Sequence, residues 1–386
     1  MEDNHSKING FQKHPRITII TFVLCFYLIV DLALGLIFQN LDYNSFRVRH
    51  FYYHHGLLPN QTAFASWSGI SYPMFTNSVS CRDKEVRTIK PYSSEKRILF
   101  IGDSHTEGVG LPYNETFAGI LQNRLENTGK EILNASAVSY SPKIYFLRTK
   151  YLLDIQKIHV NEVFVFIDIS DLQNELVYEN FTPSEPGVWK LCWFKINTII
   201  MRHSFTAKQI KRLRERIELY RFMKRAAIFD SYRTTGIRYT DALSLYAGFF
   251  SSFDDKILLS NPKFHGVGEW IYDPEFRKLA EKGLKLGQEN ILRLSELCRQ
   301  KNIPLTLSVH PWQEQIAHRD TSDMYVESWR KFCNINKIRF INLYPAFIYP
   351  KTSLVFGNDF FLPNDNHWNK AGNLIVADEL MKYMPQ

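Results

Sequence analysis

The sequence predicts an α/β protein: a three-layer α/β/α sandwich around a five-stranded parallel sheet, with one transmembrane helix ahead of it. Two observations support this prediction. Short runs rich in β-branched and aromatic residues alternate with longer segments of helical periodicity, which is typical of a parallel sheet covered on both faces. Residues 17–38 form an apolar run whose only charge is Asp31, and at ~1.5 Å per residue this run is long enough to cross a bilayer.

Each predicted element has a local signal. "EVFVFID" (162–168) is β-branched and aromatic almost throughout. Pro142 lies in the first turn of one predicted helix, and Gly129 follows the end of another. The strands are predicted over residues 97–101, 131–134, 162–168, 303–309 and 338–343. The helices are predicted over residues 116–127, 142–158, 274–301, 323–335 and 370–384.

The chain divides into a cytoplasmic tail (1–16), the transmembrane helix (17–38), an irregular lead-in (39–94) and one α/β domain (95–386). The lead-in is rich in Tyr, Phe, Asn, Ser and Pro and shows no clear periodicity. At about 172–270 a basic, partly helical insertion interrupts the alternation of strands and helices. Its basic helix is either a solvated helix packed on the domain or a surface facing a membrane or an anionic polymer. The apolar face of that helix comprises Ile210, Leu213, Ile217, Tyr220 and Met223.

The apolar run is expected to be an uncleaved anchor. Basic residues precede it, so the positive-inside rule places residues 40–386 outside the cytoplasm, although Arg47 and Arg49 on the far side oppose that orientation. A cleaved signal peptide is the alternative, because Ala33-Leu34-Gly35 resembles a small-residue cleavage site. Asp31 is then either a packing or partner contact or a residue at the outer interface.

Composition narrows the partners only in part. The formal net charge of +8 favours anionic glycans, lipid headgroups or nucleic acid, and nucleic acid is not predicted because charge alone supports it. The five cysteines have no CxxC spacing, so neither a disulfide framework nor a zinc site is expected. The sequence predicts no cofactor and no metal.

The candidate chemistry lies at two strand ends. Gly102-Asp103-Ser104-His105 follows the first predicted strand, and Leu362 to Asn373, with Asp365 and His367, lies between the last strand and the last helix. Ligands of open α/β sheets bind beyond the carboxyl ends of the strands. A serine hydroxyl there needs a neighbouring base to become a nucleophile. His367 can be that base, and Asp365, two residues before it, can orient the imidazole ring.

These two motifs together resemble the SGNH/GDSL hydrolase superfamily, over roughly residues 95–386 if the insertion is set aside. The resemblance implies a flavodoxin-like fold with Ser104 as nucleophile, His367 as base and Asp365 as acid. The Asp-x-His spacing is similar to that of polysaccharide (alginate-like) O-acetylation proteins, whereas the commoner Asp-x-x-His spacing would place the acid at Asn364. Residues 52–60, 75–78 and 308–316 resemble a membrane-anchored bacterial branch of this superfamily.

The expected oxyanion hole departs from the superfamily's pattern. Members use the nucleophilic serine, a glycine and an asparagine as donors. In this sequence the glycine position corresponds to Ser139 and the asparagine position to Ser170, with Asn174 as the alternative. The backbone N–H groups of Ser104 and Ser139 and the Ser170 hydroxyl are expected to converge on one point. Because losing one donor costs ~10²–10³ in rate, the enzyme is expected to be slow, to use Asn174, or to be inactive.

Three further side chains near the predicted site are candidates for binding substrate. His105 follows the nucleophile, and packing at the helix start is the equally weighted alternative. Trp312 and Trp368 flank predicted strand-end loops, where an indole can stack on a sugar ring or serve as a buried anchor. Asp103 is expected to accept hydrogen bonds from loop amides.

The sequence therefore predicts a serine esterase or O-acyltransferase acting on acyl esters, chiefly acetyl esters, of a cell-envelope carbohydrate. It is expected at the bacterial inner membrane, single-pass, with its catalytic domain facing the periplasm or the cell exterior. A transferase would need a membrane partner that supplies the acyl donor. One alternative is a non-catalytic glycan-binding or scaffold protein on the same fold. A weaker one is a metal-dependent phosphoesterase, suggested by Asp-x-His triplets at 103–105 and 365–367 together with Asp168 and Asp171.

Overall fold

The computed structural model describes residues 13–38, 46–184, 187–225, 268, 270–274, 276–349, 359–363 and 365–384. Its strands are β1 (Arg47–His50), β2 (His54–Leu57), β3 (Thr62–Trp67), β4 (Ile70–Thr76), β5 (Arg82–Asp83), β6 (Lys96–Ile101), β7 (Lys130–Asn134), β8 (Glu162–Ile167), β9 (Leu305–Val309) and β10 (Arg339–Asn342). Its helices are α1 (Pro15–Ile37), α2 (Ser104–Glu107), α3 (Phe117–Arg124), α4 (Pro142–Lys150), α5 (Ser170–Tyr178), α6 (Val188–His203), α7 (Phe205–Arg225), α8 (Arg277–Gln300), α9 (Gln313–Ala317), α10 (Met324–Asn336), α11 (Tyr344–Ile348) and α12 (Lys370–Met381).

The predicted α/β fold is confirmed. Strands β10, β9, β8, β6 and β7 lie side by side in that order and are parallel. They correspond to the five predicted strands, with bounds that differ by no more than two residues. Parallel neighbours require crossover connections, and the helices between these strands supply them.

Alternation along the strands separates two hydrophobic cores. In β6, Leu99 and Ile101 belong to one core, and Ile98 and Phe100 belong to the other. Helices α4, α5, α8 and α10 contribute to the first core, α3 and α12 contribute to the second, and α11 contributes to both. Because successive side chains of a strand point to opposite faces, the sheet is the middle layer of a three-layer sandwich.

The five-stranded sheet and the irregular lead-in need correction. The sheet has eight strands, because β5, β4 and β3 extend it beyond β7 with antiparallel pairing. Strands β3 and β4 form a hairpin whose two turn residues, Ser68 and Gly69, have φ values of 46° and 75°, the positive φ pair that suits a tight hairpin. Residues 47–57 form a separate antiparallel pair, β1 and β2.

Helix α1 is long and apolar enough to cross a membrane by length and composition, as predicted. Its side chains are largely exposed, and the buried ones are Asp31 and Gly35. The predicted basic insertion contains α6 and α7, and residues 226–267 lie outside the described part of the chain. On α7, Ile210, Leu213 and Ile217 are exposed, which contradicts the option that this face packs on the domain. The side chains of Tyr220 and Met223 lie outside the described residues.

Candidate active site

A sharp turn after β6 presents Ser104. Asp103 caps the short helix α2 by accepting the His105 backbone N–H at 2.9 Å. At Gly102, an added Cβ would lie 2.2 Å from Thr106 Oγ1, so only glycine fits there without displacing its neighbours. Ser104 is the first residue of α2, and its backbone N–H therefore has no acceptor within the helix. The turn leaves both the hydroxyl and the N–H of Ser104 at the carboxyl edge of the parallel strands.

The loop before α12 brings the second motif to the same edge. Phe361 and Trp368 form an isolated antiparallel bridge, and the Leu362 N–H donates to the His367 carbonyl at 2.8 Å. Asn369 caps α12 by accepting the Ala371 N–H at 2.8 Å. These contacts close residues 361–368 into a tight loop that carries Asp365 and His367.

Ser104, His367 and Asp365 lie in a hydrogen-bonded series. His367 Nε2 is 2.7 Å from Ser104 Oγ. On the other side of the ring, His367 Nδ1 contacts Asp365 Oδ1, which also accepts the His367 backbone N–H at 2.9 Å. Ser104 Oγ also lies 3.2 Å from Asp103 Oδ2, a longer contact. The shorter contact to the imidazole is the one that can remove the hydroxyl proton.

Two residues of the β3–β4 hairpin hold the Asp365 carboxylate. Trp67 Nε1 donates to Asp365 Oδ2 at 2.8 Å, and the Ser68 hydroxyl donates to the same oxygen. Burial opposes the charge on this carboxylate, but His367 and the Ser68 hydrogen bond outweigh burial and hold the pKa of Asp365 below its usual value. Asp365 is therefore ionised at neutral pH and suited to orient an imidazole.

A second carboxylate–histidine pair lies behind the first. His105 Nδ1 lies 3.1 Å from Asp168 Oδ2, and His105 Nε2 lies 2.8 Å from the Asn366 carbonyl oxygen. The His105 ring stacks on the His367 ring, with centroids 4.6 Å apart. Burial disfavours the charged imidazole, but Asp103 and Asp168 outweigh it and raise the pKa of His105 to about 10. The two carboxylates thus favour the charged form of the His105 ring, whose Nδ1 faces Asp168.

The ligand atoms of Asp103, His105, Asp168 and His310 lie within 4.8 Å of one another, close enough to surround one metal ion. The Asn366 carbonyl can only accept, so His105 Nε2 carries a proton. That hydrogen bond leaves His105 Nδ1, which faces Asp168, as the ring atom that could bind a metal. Burial and the nearby His105 charge lower the pKa of His310 to about 3, which favours the neutral imidazole that a metal would need. These four residues could therefore hold a cation.

The predicted oxyanion residues Ser139 and Ser170 differ in their local structure. Ser139 has a φ of 62°, a conformation that favours glycine, in agreement with its assignment to the glycine position. The Ser170 hydroxyl instead donates to Asp168 Oδ1 at 2.6 Å, and the Ser170 N–H donates to the same oxygen at 2.8 Å. A hydroxyl has one proton, so the expectation that Ser170 donates to an oxyanion needs correction. Asn174 is half-buried on α5.

Two of the three candidate substrate contacts also need correction. Trp368 is 2% exposed and belongs to the core beneath the sheet, stacked on Phe347. His105 is equally buried and faces Asp168 as described above. Trp312 is half-buried, and its Nε1 donates to Asp168 Oδ2 at 2.8 Å. These side chains build the support of the site, because a buried ring cannot stack on a sugar.

Sequence reasoning missed several supporting residues. Buried Glu107 accepts two hydrogen bonds from Arg47, at 2.7 and 2.5 Å, and a third from the Val138 N–H at 2.8 Å. It thereby ties β1 and α2 to the loop that carries Ser139. No sequence motif marks Glu107. By contrast, the Ser68-Gly69 dipeptide is a turn signal, and it marks the turn that follows Trp67 and contains Ser68.

Comparison with known proteins gives fold-level likenesses. No protein-family model and no curated protein matches the chain. Among solved structures, the psychrotrophic esterase EstA from Pseudoalteromonas sp. is 12% identical, with a TM-score of 0.37, over 75% of this chain and 96% of that chain. A catalytic mutant of Axe2, an acetylxylan esterase from Geobacillus stearothermophilus, is 12% identical, with a TM-score of 0.39, over 76% and 95%. The acetyl xylan esterase AlAXEase is 16% identical, with a TM-score of 0.37, over 75% and 100%.

Proposed function

We propose that this chain is a serine esterase whose catalytic residues are Ser104, His367 and Asp365. The observation that carries the proposal is the series from the Ser104 hydroxyl through the His367 ring to the Asp365 carboxylate, with 2.7 Å between Ser104 Oγ and His367 Nε2. Triads are recognised by this geometry and by the roles of their members rather than by chain order. Ser104 lies 263 positions before His367, and Asp365 is in the same loop as His367, so the series joins two distant segments and a chance local motif does not account for it.

The geometry supports a two-step acyl transfer. His367 Nε2 takes the Ser104 proton as Oγ attacks the ester carbonyl, and the carbonyl oxygen becomes an oxyanion. Asp365 stabilises the imidazolium formed at His367. His367 then returns the proton to the departing alcohol, leaving an acyl group on Ser104. In the second step, water or an acceptor hydroxyl loses its proton to His367 and attacks the acyl carbon. Ser104 regains its proton as the ester or acid departs.

The backbone N–H groups of Ser104 and Ser139 are the proposed oxyanion donors, with Asn174 as the side-chain candidate. Ser104 N–H has no acceptor in α2, and the left-handed backbone at Ser139 suits a loop that turns an amide toward the site. Donors must lie ~2.7–3.1 Å from the position of the oxyanion. Asn174→Ala is expected to slow turnover without weakening ground-state binding, since such a contact forms mainly in the transition state.

The substrate class we propose is an acetyl ester of a cell-envelope carbohydrate, handled by hydrolysis or by transfer to a sugar hydroxyl. The Asp-x-His spacing, which is similar to that of polysaccharide O-acetylation proteins, supports this class, and the apolar helix α1 supports a membrane location. We propose a single-pass protein of the bacterial inner membrane with its domain in the periplasm or outside the cell. In the transferase case, a separate membrane protein supplies the acyl donor.

The test uses the full-length protein in detergent with p-nitrophenyl acetate, with and without an oligosaccharide acceptor. We expect ester cleavage, labelling of Ser104 by a fluorophosphonate, and loss of both in Ser104→Ala. Acetylated oligosaccharide among the products identifies a transferase, and acetate alone identifies an esterase. Absence of turnover and of labelling in the folded protein would favour the non-catalytic alternative. Activity that survives Ser104→Ala and disappears with a chelator would favour the metal-dependent one.

A further inference from the structure

The lone charge in the apolar run has a partner outside α1. Asp31 is buried, and its Oδ1 accepts the Thr206 N–H at 2.7 Å, in the first turn of α7. The first N–H groups of a helix lack internal acceptors and carry partial positive charge. Asp31 therefore caps α7 from another helix. Carboxylates within membrane spans are costly unless paired in this way.

Gly35 brings the same helices into backbone contact. An added Cβ at Gly35 would lie 1.9 Å from the His203 carbonyl oxygen, at the junction of α6 and α7. Phe38 and Phe205 pack beside it, with ring centroids 5.6 Å apart. Small residues allow such close approach between helices in membranes. Asp31 lies about 9 Å along the axis from the end of α1 at Ile37, at ~1.5 Å per residue, so the junction reaches the depth of the last turns of the span.

Helix α6 exposes many large apolar side chains. Trp189 is 89% exposed and Trp193 is 66% exposed. Phe194 instead packs on Phe51 of the domain at 5.3 Å between ring centroids. A cluster of exposed apolar side chains is typical of a surface that contacts a partner or a membrane, and tryptophan is enriched at membrane interfaces. The other exposed apolar residues of α6 are Val188, Leu191, Ile196, Ile199 and Ile200.

We infer that α6 and the first turns of α7 form a second membrane contact, which inserts beside α1 into the interface of a phospholipid bilayer. We infer lipid as the partner of this exposed face because α6 adjoins α1, the helix proposed to span the membrane. Asp31 and Gly35 of α1 contact the junction of α6 and α7, and α6 extends from that junction with its indoles exposed. Lys195 is exposed and follows the second indole in the sequence of α6, and a long cationic side chain there can extend to the charged headgroups; Lys190 instead lies over the Phe51 ring of the domain. This inference goes beyond the proposed catalytic activity, and it rests on the proposed membrane location of α1.

The test measures the depth of Cys192 in α6. Cys25 and Cys192 are the exposed cysteines, whereas Cys81, Cys298 and Cys333 are buried. The full-length Cys25→Ser protein is labelled at Cys192 with the fluorophore NBD and reconstituted into phosphatidylcholine vesicles with a lipid spin-labelled near the head of the acyl chain. We expect a blue-shifted emission, strong quenching by the spin-labelled lipid, and several-fold weaker quenching by aqueous iodide than at a control site. The control is Tyr92→Cys in a Cys25→Ser/Cys192→Ser background. Tyr92 is exposed and lies before the amino end of β6, whereas Ser104 follows the carboxyl end of that strand.

Two outcomes would overturn the inference. Iodide quenching at Cys192 equal to that at the control site would show that α6 lies in water. Protection from iodide without quenching by the lipid would show that protein covers this face instead. Asp31→Leu, which removes the cap, should weaken lipid quenching at Cys192, and unchanged quenching would contradict the docking on α1. Hydrolysis of a soluble ester by Trp189→Ser/Trp193→Ser should match the parent, while its label becomes accessible to iodide.

Discussion

The site holds two carboxylate–histidine pairs built from the same parts. Asp365 faces His367 and accepts from the Trp67 indole and the Ser68 hydroxyl. Asp168 faces His105 and accepts from an indole and a serine hydroxyl as well, those of Trp312 and Ser170. The pairs differ in what lies beyond the imidazole and in exposure. The side chain of His367 is 13% exposed and meets a serine hydroxyl, whereas that of His105 is 0% exposed and meets a backbone carbonyl.

This difference separates the pair that contacts a hydroxyl from the pair that does not. A base must give and take a proton at working pH, whereas the His105 ring is closed off from solvent and its Nε2 is held by a backbone carbonyl. The buried pair fixes the ring on which His367 stacks, so we assign His105 and Asp168 a positioning role. The partly exposed pair is the one we propose for proton transfer.

The largest expected effect comes from removing the Ser104 hydroxyl, which contacts the imidazole of His367. Ser104→Ala should lower kcat by about 10⁶-fold, and adding His367→Ala should change it little further, because the two act as a unit. Steady-state hydrolysis of p-nitrophenyl acetate and a thermal melt measure activity and folding together. Ser93→Ala, at an exposed serine before β6, is the control. Substantial turnover in folded Ser104→Ala would contradict the assignment of the reactive pair.

The next effect tests the carboxylate of the reactive pair. Asp365→Asn should lower kcat by about 10⁴-fold, because an amide neither selects the correct imidazole tautomer nor stabilises the imidazolium. Kinetics at several pH values measure the loss. If Asn364→Ala reduces kcat more than Asp365→Asn does, the acid lies one residue earlier than we propose.

Each carboxylate accepts a hydrogen bond from one serine hydroxyl, that of Ser68 for Asp365 and that of Ser170 for Asp168. The same Ser→Ala substitution can therefore be made beside either pair. Ser68→Ala should lower kcat/KM about tenfold, since a hydrogen bond to a charged group contributes ~1.5–3 kcal/mol. It should also raise the pKa of Asp365, because the Ser68 bond helps to lower it, so activity is lost at higher pH as the solution is acidified. Ser170→Ala should not change the pH at which activity is lost on acidification. Equal shifts in the two pH–rate profiles would contradict the division of roles.

The smallest effect is on stability, in the buried pair. The pKa of His105 is raised from 6.5 to about 10, so the folded state binds a proton more tightly than the unfolded state does. The stabilisation is fully present below pH 6.5 and is lost as the pH rises toward about 10. The Tm of the parent should therefore fall over this range, and that of His105→Gln should fall less. Parallel curves for the two proteins would show that His105 is neutral when folded.

Much of the fold, and the two segments that carry Ser104, Asp365 and His367, could be predicted from the sequence because their signals are local. The parallel strands are continuous apolar runs such as "ILFI" (98–101), and a glycine–carboxylate–hydroxyl sequence after one of them marks a strand-end turn. The Asp365–His367 spacing is also local, and its contact with Ser104 followed from the shared edge of parallel strands.

The remaining features depend on contacts that a linear pattern does not contain. Residues 39–94 show no clear periodicity, which predicts an irregular segment, and Pro73 lies inside β4, where proline is uncommon. The resemblance places Ser170 at the asparagine position of the oxyanion hole, but its hydroxyl donates a hydrogen bond to the nearer Asp168 carboxylate. Trp368 and His105 are polar-tipped rings whose burial depends on tertiary packing, against Phe347 for Trp368 and against His310 for His105.

The bond from Trp67 to Asp365 joins residues 298 positions apart. During synthesis Trp67 and the Ser104 turn emerge long before the loop that carries Asp365 and His367. A nascent chain that ends between these segments has its serine turn but neither the proposed base nor the proposed carboxylate. Contacts of such long sequence separation also form slowly. The proposed ester cleavage is therefore expected only after residue 367 has been made and its loop has folded back onto the β3–β4 hairpin.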